Sequence, residues 1–202
     1  RHGDVNKLDI ARGTLRAKSA TLMALALPGG TYLYQGEELG LPEVRDIPEN
    51  RLTDPRWQMS NYKDRGRDGC RVPIPWKSSS GGAFGFSSNE NLTAEQAWLP
   101  PSAWWGKYSA ESQENDPNST LNVYRKALAI RKSEPGLGDG AMEWIDDSSQ
   151  VVAFKRGEDF ACYINFGSEI ELPDNSQVLH SSGPLNGNYL PTDTAVWLRV
   201  SK

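Results

Sequence analysis

The sequence has 202 residues, 37% hydrophobic and 24% charged, which is long enough for one large or two small domains and suits a soluble globular protein. A net charge of -4, with no run of five or six like charges, argues against a nucleic-acid or anionic-membrane partner, which would require a basic patch. The longest apolar stretch, residues 22–28, is too short to span a bilayer, and the opening Arg1-His2-Gly3-Asp4 does not read as a secretion signal.

Residues 8–27 read as a helix. Leu8, Ala11, Leu15, Leu22, Leu25 and Ala26 recur at three- and four-residue spacings and form one apolar stripe, with Arg12, Arg16 and Lys18 off it. Pro28-Gly29-Gly30 ends that helix. The next run, Thr31-Tyr32-Leu33-Tyr34, is β-branched and aromatic between glycines and predicts a short buried strand. Such a strand cannot stand alone. A parallel sheet needs neighbours and cover on both faces, so its partners are expected from polypeptide outside this sequence.

Residues 35–116 are rich in Pro, Gly, Ser, Asn, Asp and Trp and predict a long loop, interrupted by short helices such as one near residues 93–98. A second helix is expected over residues 117–133, with Asp116 as N-cap and Pro117 in its first turn. Leu121, Tyr124, Leu128 and Arg131 share one face of it, and Val123, Ala127 and Ile130 lie beside them. Glu134-Pro135-Gly136 stops it. Short alternating runs follow at residues 151–154, 160–166, 169–172 and 195–200. They predict an antiparallel β-sandwich with a boundary near Gly138.

The cysteines, Cys70 and Cys162, lie in no metal-ligand or disulfide pattern and read as two buried free thiols, which suits a cytoplasmic protein. His2 and His180 belong to no constellation, and His180 reads as a surface residue in a β-turn. No nucleophile triad, phosphate-cradling loop or zinc spacing is present in the sequence.

Three segments resemble glycoside hydrolase family 13. The stretch Leu27-Pro28-Gly29-Gly30-Thr31-Tyr32-Leu33-Tyr34-Gln35-Gly36-Glu37-Glu38-Leu39-Gly40 is similar to the family's eighth barrel strand and its P-G-x-P-x-x-Y-x-G-D/E-E-x-G pattern, with Thr31 in place of the usual proline. Gly66-Arg67-Asp68-Gly69-Cys70-Arg71-Val72-Pro73-Ile74-Pro75-Trp76 resembles the R-D-x-x-R-x-P-x-x-W motif of the α-glucosidase and oligo-1,6-glucosidase branch. Val72, Ile74 and Pro75 depart from the oligo-1,6-glucosidase form and look closer to bacterial maltases. Residues 116–132 resemble the last barrel helix, and Ala97-Trp98-Leu99-Pro100 a W-L-P segment of the eighth loop. Arg1-His2-Gly3 resembles the residues just after the family's N-H-D motif.

The resemblance implies an architecture. Residues 1–138 would be the C-terminal part of a (β/α)8 barrel, comprising helix seven, strand eight, loop eight and helix eight. Residues 139–202 would be the antiparallel β-sandwich called domain C. It implies a retaining, exo-acting α-glucosidase that removes terminal glucose, α-1,4-linked by expectation, from maltose or short maltooligosaccharides. Such chemistry needs two carboxyl groups about 5 Å apart. The family's nucleophile, acid/base and third aspartate all match positions ahead of residue 1, so this sequence by itself is expected to be inactive, with the missing barrel portion as its partner. No cofactor is implied, and calcium in the remaining part is left open.

Arg71 is the residue the resemblance assigns to substrate binding. It would pair with an aspartate from an early barrel loop and close the pocket behind the first sugar. Without that aspartate, an inward-pointing Arg71 is expected to be an uncompensated charge. Tyr34, Gly36, Glu38, Arg67 and Asp68 would support the pocket, Glu38 as part of a hydrogen-bonded turn. Trp76, Trp98, Trp104 and Trp105 are candidates to line the entrance, with ordinary packing an equal reading for each. Catalysis by the Glu37-Glu38 pair is not expected, because neighbouring side chains at a strand end diverge. Transglycosylating relatives (sucrose isomerase, trehalose synthase), non-catalytic members like the amino-acid transporter heavy chains, and an independent sugar-binding β-module are the alternatives.

Overall fold

Asp9 opens the first helix, α1 (Ile10–Ala26): its carboxylate accepts the Arg12 N–H at 2.9 Å and fills one orphan donor of the first turn. The helix lies inside the expected 8–27 span, in a computed structural model that describes residues 8–147 and 150–200. The resemblance noted at Arg1-His2-Gly3 lies outside the described residues. The chain divides into two units, one made of the segments up to Tyr32 and from Asn122 onward, the other of Leu33–Leu121. The first unit joins α1 to the β-rich segment because the two pack together.

In the first unit, α1 is buried only in its second half, through Leu22, Leu25 and Ala26, while Leu8 and Leu15 are exposed. The apolar stripe read over the whole helix is therefore used over half of it. The other long helix, α5 (Thr120–Ser133), starts later than expected. The Asp116 carboxylate accepts the Asn118 N–H (2.9 Å) and the Asp116 carbonyl accepts the Ser119 N–H (3.0 Å), so Pro117 sits in a turn ahead of the helix. Val123, Tyr124 and Ala127 are buried, and Leu128, expected on the same face, is exposed.

Among the described residues seven strands follow: β1 (Met142–Asp147), β2 (Val151–Arg156), β3 (Phe160–Asn165), β4 (Ile170–Glu171), β5 (Ser176–Ser181), β6 (Tyr189–Leu190) and β7 (Thr194–Val200). Five form an antiparallel sheet in the order β1-β2-β3-β7-β5, and β4 pairs with β6. The central strands are apolar on both faces, and strand alternation explains why. Phe160, Cys162, Ile164, Ala195 and Trp197 pack with Leu22, Leu25, Val123 and Ala127. Ala161, Val196 and Leu198 point the other way and pack with Leu172 and Leu190. Ile145 in β1 and Leu179 in β5 are each skipped by the pairing register, giving one bulge in each strand.

Arginines satisfy the polar groups at this junction. Arg156 is fully buried and donates to the carbonyls of Ala26 (2.7 Å), Gly138 (2.9 Å) and Gly140 (3.1 Å). Arg131 donates to Leu25, Leu27 and Gly29 carbonyls. Together they cap the C-terminal end of α1, whose own last turn holds no basic residue. At the other end, Arg12 and Arg16 each place Nε 2.7 Å from the buried Asp193 carboxylate. Burial pushes the Asp193 carboxyl up, but the hydrogen bonds from both arginines outweigh it and hold it below the usual range.

His180, expected on the surface, is buried in β5. Its Nε2 lies 3.0 Å from the Val123 carbonyl and its ring stands edge-on to Trp197 at 6.1 Å. Burial lowers its pKa, the Val123 carbonyl opposes that, and Lys126 adds to the lowering. The unfolded chain therefore takes up this proton first, so the His180 contribution is complete above about pH 6.5 and declines as pH falls below it. Denaturant midpoints measured from about pH 7 to about pH 5 are expected to fall less steeply in a His180→Gln variant than in the parent. Equal slopes would exclude His180 as the titrating group. Cys162 is buried as expected, with its thiol pKa pushed up by burial, whereas Cys70 is exposed, contrary to the expected burial.

Residues 31–34 form no strand: they have no ladder partner among the described residues, and Tyr32 is 97% exposed. Without neighbours, the backbone groups of a lone strand have nothing to bond. No helix among the described residues is long and apolar enough to cross a membrane.

Candidate functional site

The second unit, residues 33–121, has its own core of Val44, Ile47, Val72, Phe84, Leu99 and Trp105. Its short elements include α2 (Pro55–Met59), α3 (Gly81–Gly85), α4 (Ala110–Gln113) and the expected turn near residue 93, a 3-10 helix at Ala94–Gln96. Segment α3 is left-handed at Gly82, Ala83 and Phe84, and the Phe84 carbonyl accepts the N–H groups of Trp76 (2.8 Å) and Lys77 (2.9 Å).

The first motif folds as a tight turn. Gly36 has φ +92, a left-handed conformation that strains any residue with a side chain, and a Cβ there would also crowd the Leu41 Cδ1 at 2.7 Å. The Glu38 carboxylate accepts the Gly36 N–H at 2.7 Å, and the Gly36 carbonyl accepts Leu41 N–H at 3.0 Å. Glu38 thus holds this turn through its carboxylate. Tyr34 is half-exposed, and its carbonyl accepts the Glu37 N–H at 3.1 Å.

The second motif is organised by two aspartates. Asp68 is fully buried; its Oδ2 accepts the N–H groups of Thr53 (2.6 Å) and Asp54 (2.9 Å), and its Oδ1 the Thr53 hydroxyl (3.1 Å). Asp54 is the N-cap of α2: Oδ1 accepts the Arg56 N–H at 3.0 Å and Oδ2 the Arg67 N–H at 2.9 Å. Arg71 Nη1 donates to Asp54 Oδ2 at 3.1 Å and lies 3.9 Å from Asp68 Oδ1. The backbone donors of Arg56 and Arg67 hold the Asp54 carboxyl below its usual range despite burial, and Arg71 adds to this. Gly66, at φ +69, admits the Asp54 side chain: a Cβ there would fall 2.3 Å from its carboxyl carbon. Arg67 braces the loop through its main chain, with its N–H on Asp54 and its carbonyl accepting Cys70 N–H at 3.2 Å, while its side chain is exposed.

Arg71 is therefore not the uncompensated charge expected of it. Asp54, which sequence reasoning missed, supplies a carboxylate from within the same loop system. The signal was present, since Asp54 precedes Pro55 as an N-cap precedes a helix-starting proline.

A cavity of about 100 Å³ lies between the two motifs and is lined by Tyr34, Gly36, Glu37, Cys70, Val72 and Trp105 among others. Arg71, Glu38, Arg67 and Asp68 do not line it. Of the tryptophans, Trp105 is buried with Nε1 on the Pro73 carbonyl (2.8 Å), and Trp104 stands edge-on to it. Trp76 and Trp98 are exposed. A larger cleft in the first unit, about 710 Å³, is lined by Gly136, Gly140, Gly157, Glu158, Asp159 and Arg199. Its three glycines are explained by backbone close approach to one another and to Arg156, and no aromatic side chain among the described residues lines it.

The catalytic domain of the alpha-amylase family matches residues 4–140. A probable alpha-glucosidase of Rhizobium meliloti (strain 1021) is 36% identical over 164 residues, 78% of this chain and 28% of its own length. Maltase A1 of Drosophila melanogaster is 33% identical over 171 residues, 80% of this chain and 28% of its own. The chain thus spans about 28% of the length of these curated relatives. Among solved structures, the alpha-glucosyl transfer enzyme XgtA superposes with a TM-score of 0.73 at 28% identity, over 93% of this chain and 36% of that one. A trehalulose synthase gives a TM-score of 0.72 at 22% identity, over 93% of this chain and 38% of that one, which bears on fold alone. The family match over residues 4–140 covers both the turn held by Glu38 and the aspartate-bound loop of Arg71: the chain belongs to the alpha-amylase family and carries the end of its (β/α)8 barrel and the β-rich domain that follows.

Proposed function

We propose that these residues are part of a retaining, exo-acting α-glucosidase that releases terminal glucose from maltose and short maltooligosaccharides. Residues 1–138 contribute barrel wall and residues 139–202 domain C. The observation that carries the reading is Arg71, fixed on Asp54 within an intact R-D-x-x-R loop and still 41% exposed. A guanidinium so held keeps donors for a sugar or for a carboxylate across the pocket. Tyr34, Gly36, Glu38, Arg67 and Asp68 support that pocket by shaping its two loops, and none acts as nucleophile or acid. Catalysis falls to carboxylates outside these residues, so the 202-residue chain alone is expected to be inactive. Free Cys70 and Cys162 support a reducing, cytoplasmic setting.

The test is the complete protein with maltose and with 4-nitrophenyl α-glucoside, following free glucose and its anomeric form. Net release of α-glucose is expected. The similarity to an alpha-glucosyl transfer enzyme favours a second reading, transglycosylation, which predicts new glucosides with little free glucose. A folded protein with no turnover would support a non-catalytic family member and overturn both.

A further inference from the structure

We propose that Asp54 is a positioning residue for substrate recognition, acting through Arg71 by fixing the direction of its guanidinium. This rests on the reading of Arg71 as a pocket residue. Asp54 is itself immobilised. Its N–H is on Asp68 Oδ2 (2.9 Å), its Oδ1 on the Arg56 N–H (3.0 Å) and its Oδ2 on the Arg67 N–H (2.9 Å), and its side chain is 7% exposed. Such a carboxylate cannot swing to follow a mobile arginine, so the arginine follows it.

Arg71 shows the complementary pattern. Its hydrogen bond among the described residues runs from Nη1 to Asp54 Oδ2, and Asp68 approaches the same nitrogen at 3.9 Å. One nitrogen of a planar fork is thereby anchored, and Nε and Nη2 remain without a partner among the described residues. Because the five donors of a guanidinium share one plane, anchoring one corner orients the others. Asp54 is thus the link between a rigid loop and a half-exposed cation.

A purely structural role for Asp54 as the cap of α2 is the competing account, and Asp54→Ser separates the two. Serine keeps an acceptor for the Arg56 N–H, as a helix cap should, but removes Oδ2 and with it both the Arg71 contact and the acceptor for the Arg67 N–H, so the comparison that isolates Arg71 is the one made in Arg71→Ala protein. In the complete protein with maltose as substrate, Asp54→Ser is expected to raise KM about tenfold with kcat within about twofold, in keeping with loss of one charged hydrogen bond. In an Arg71→Ala background, Asp54→Ser is expected to change KM no further. Unchanged KM in the single variant, or effects that multiply in the double variant, would overturn the proposal. Should serine unfold the loop, Asp54→Asn is measured by the same criteria; loss of folding in both makes Asp54 structural and overturns it too. Absence of turnover by the parent protein overturns the α-glucosidase reading itself and this one with it, a result seen before any variant is made.

Discussion

Alanine at Arg71 is expected to lower kcat/KM of the complete protein for maltose by about a hundredfold while leaving it folded. The kinetic loss follows from removing the donors that the proposed pocket uses, each worth about 1.5–3 kcal/mol when charged. The small structural loss follows from how the two aspartates are bonded. Asp54 and Asp68 each keep at least two backbone N–H donors without Arg71, so neither becomes an unsatisfied buried charge. Lysine is expected to recover only part of the activity, because a point charge cannot reproduce the fork. Steady-state kinetics on maltose decide the matter. A variant within threefold of the parent would remove Arg71 from substrate recognition.

Methionine at Arg156 is expected to lower stability by about 4 kcal/mol, seen as a fall in Tm of roughly 10 °C. Methionine nearly fills the space but donates nothing, so the carbonyls of Ala26, Gly138 and Gly140 lose their donor in a buried place. Burial and the nearby Arg131 charge both push the Arg156 pKa down, yet an arginine stays charged in such surroundings. The charge is tolerated because three oxygens, including one at the negative end of α1, surround it. Thermal unfolding with a calorimetric or circular-dichroism readout tests this, and a fall under about 3 °C would show that water replaces the guanidinium without penalty.

Much of this was legible in the residues. Pro28-Gly29-Gly30 marked the end of α1, and the apolar runs marked β2, β3 and β7, because local chemistry dictates both. Strands β5 and β6 were missed: Ser176–Ser181 is polar and Tyr189–Leu190 is two residues long, so neither gives a periodic signal. β1, with its acidic sequence, was hidden for the same reason. His180 and Arg156 were misjudged or overlooked because their burial depends on Val123 and Ala26, residues far away in the sequence. The site divides in the same way. Glu38 and Asp68 act within the motifs that announce them, whereas Asp54 meets Arg71 across seventeen positions, and only the folded loop brings them together.

The two outer strands of the large sheet, β1 and β5, each carry one irregularity, at Ile145 and at Leu179. An outer strand leaves a row of unpaired peptide groups, which invites a second molecule to add itself edge to edge. A bulge interrupts that row and twists it, so neither border offers a straight template for self-association. The irregular pairing thus acts as a safeguard against aggregation, and shortening either strand by its one unpaired residue would remove it.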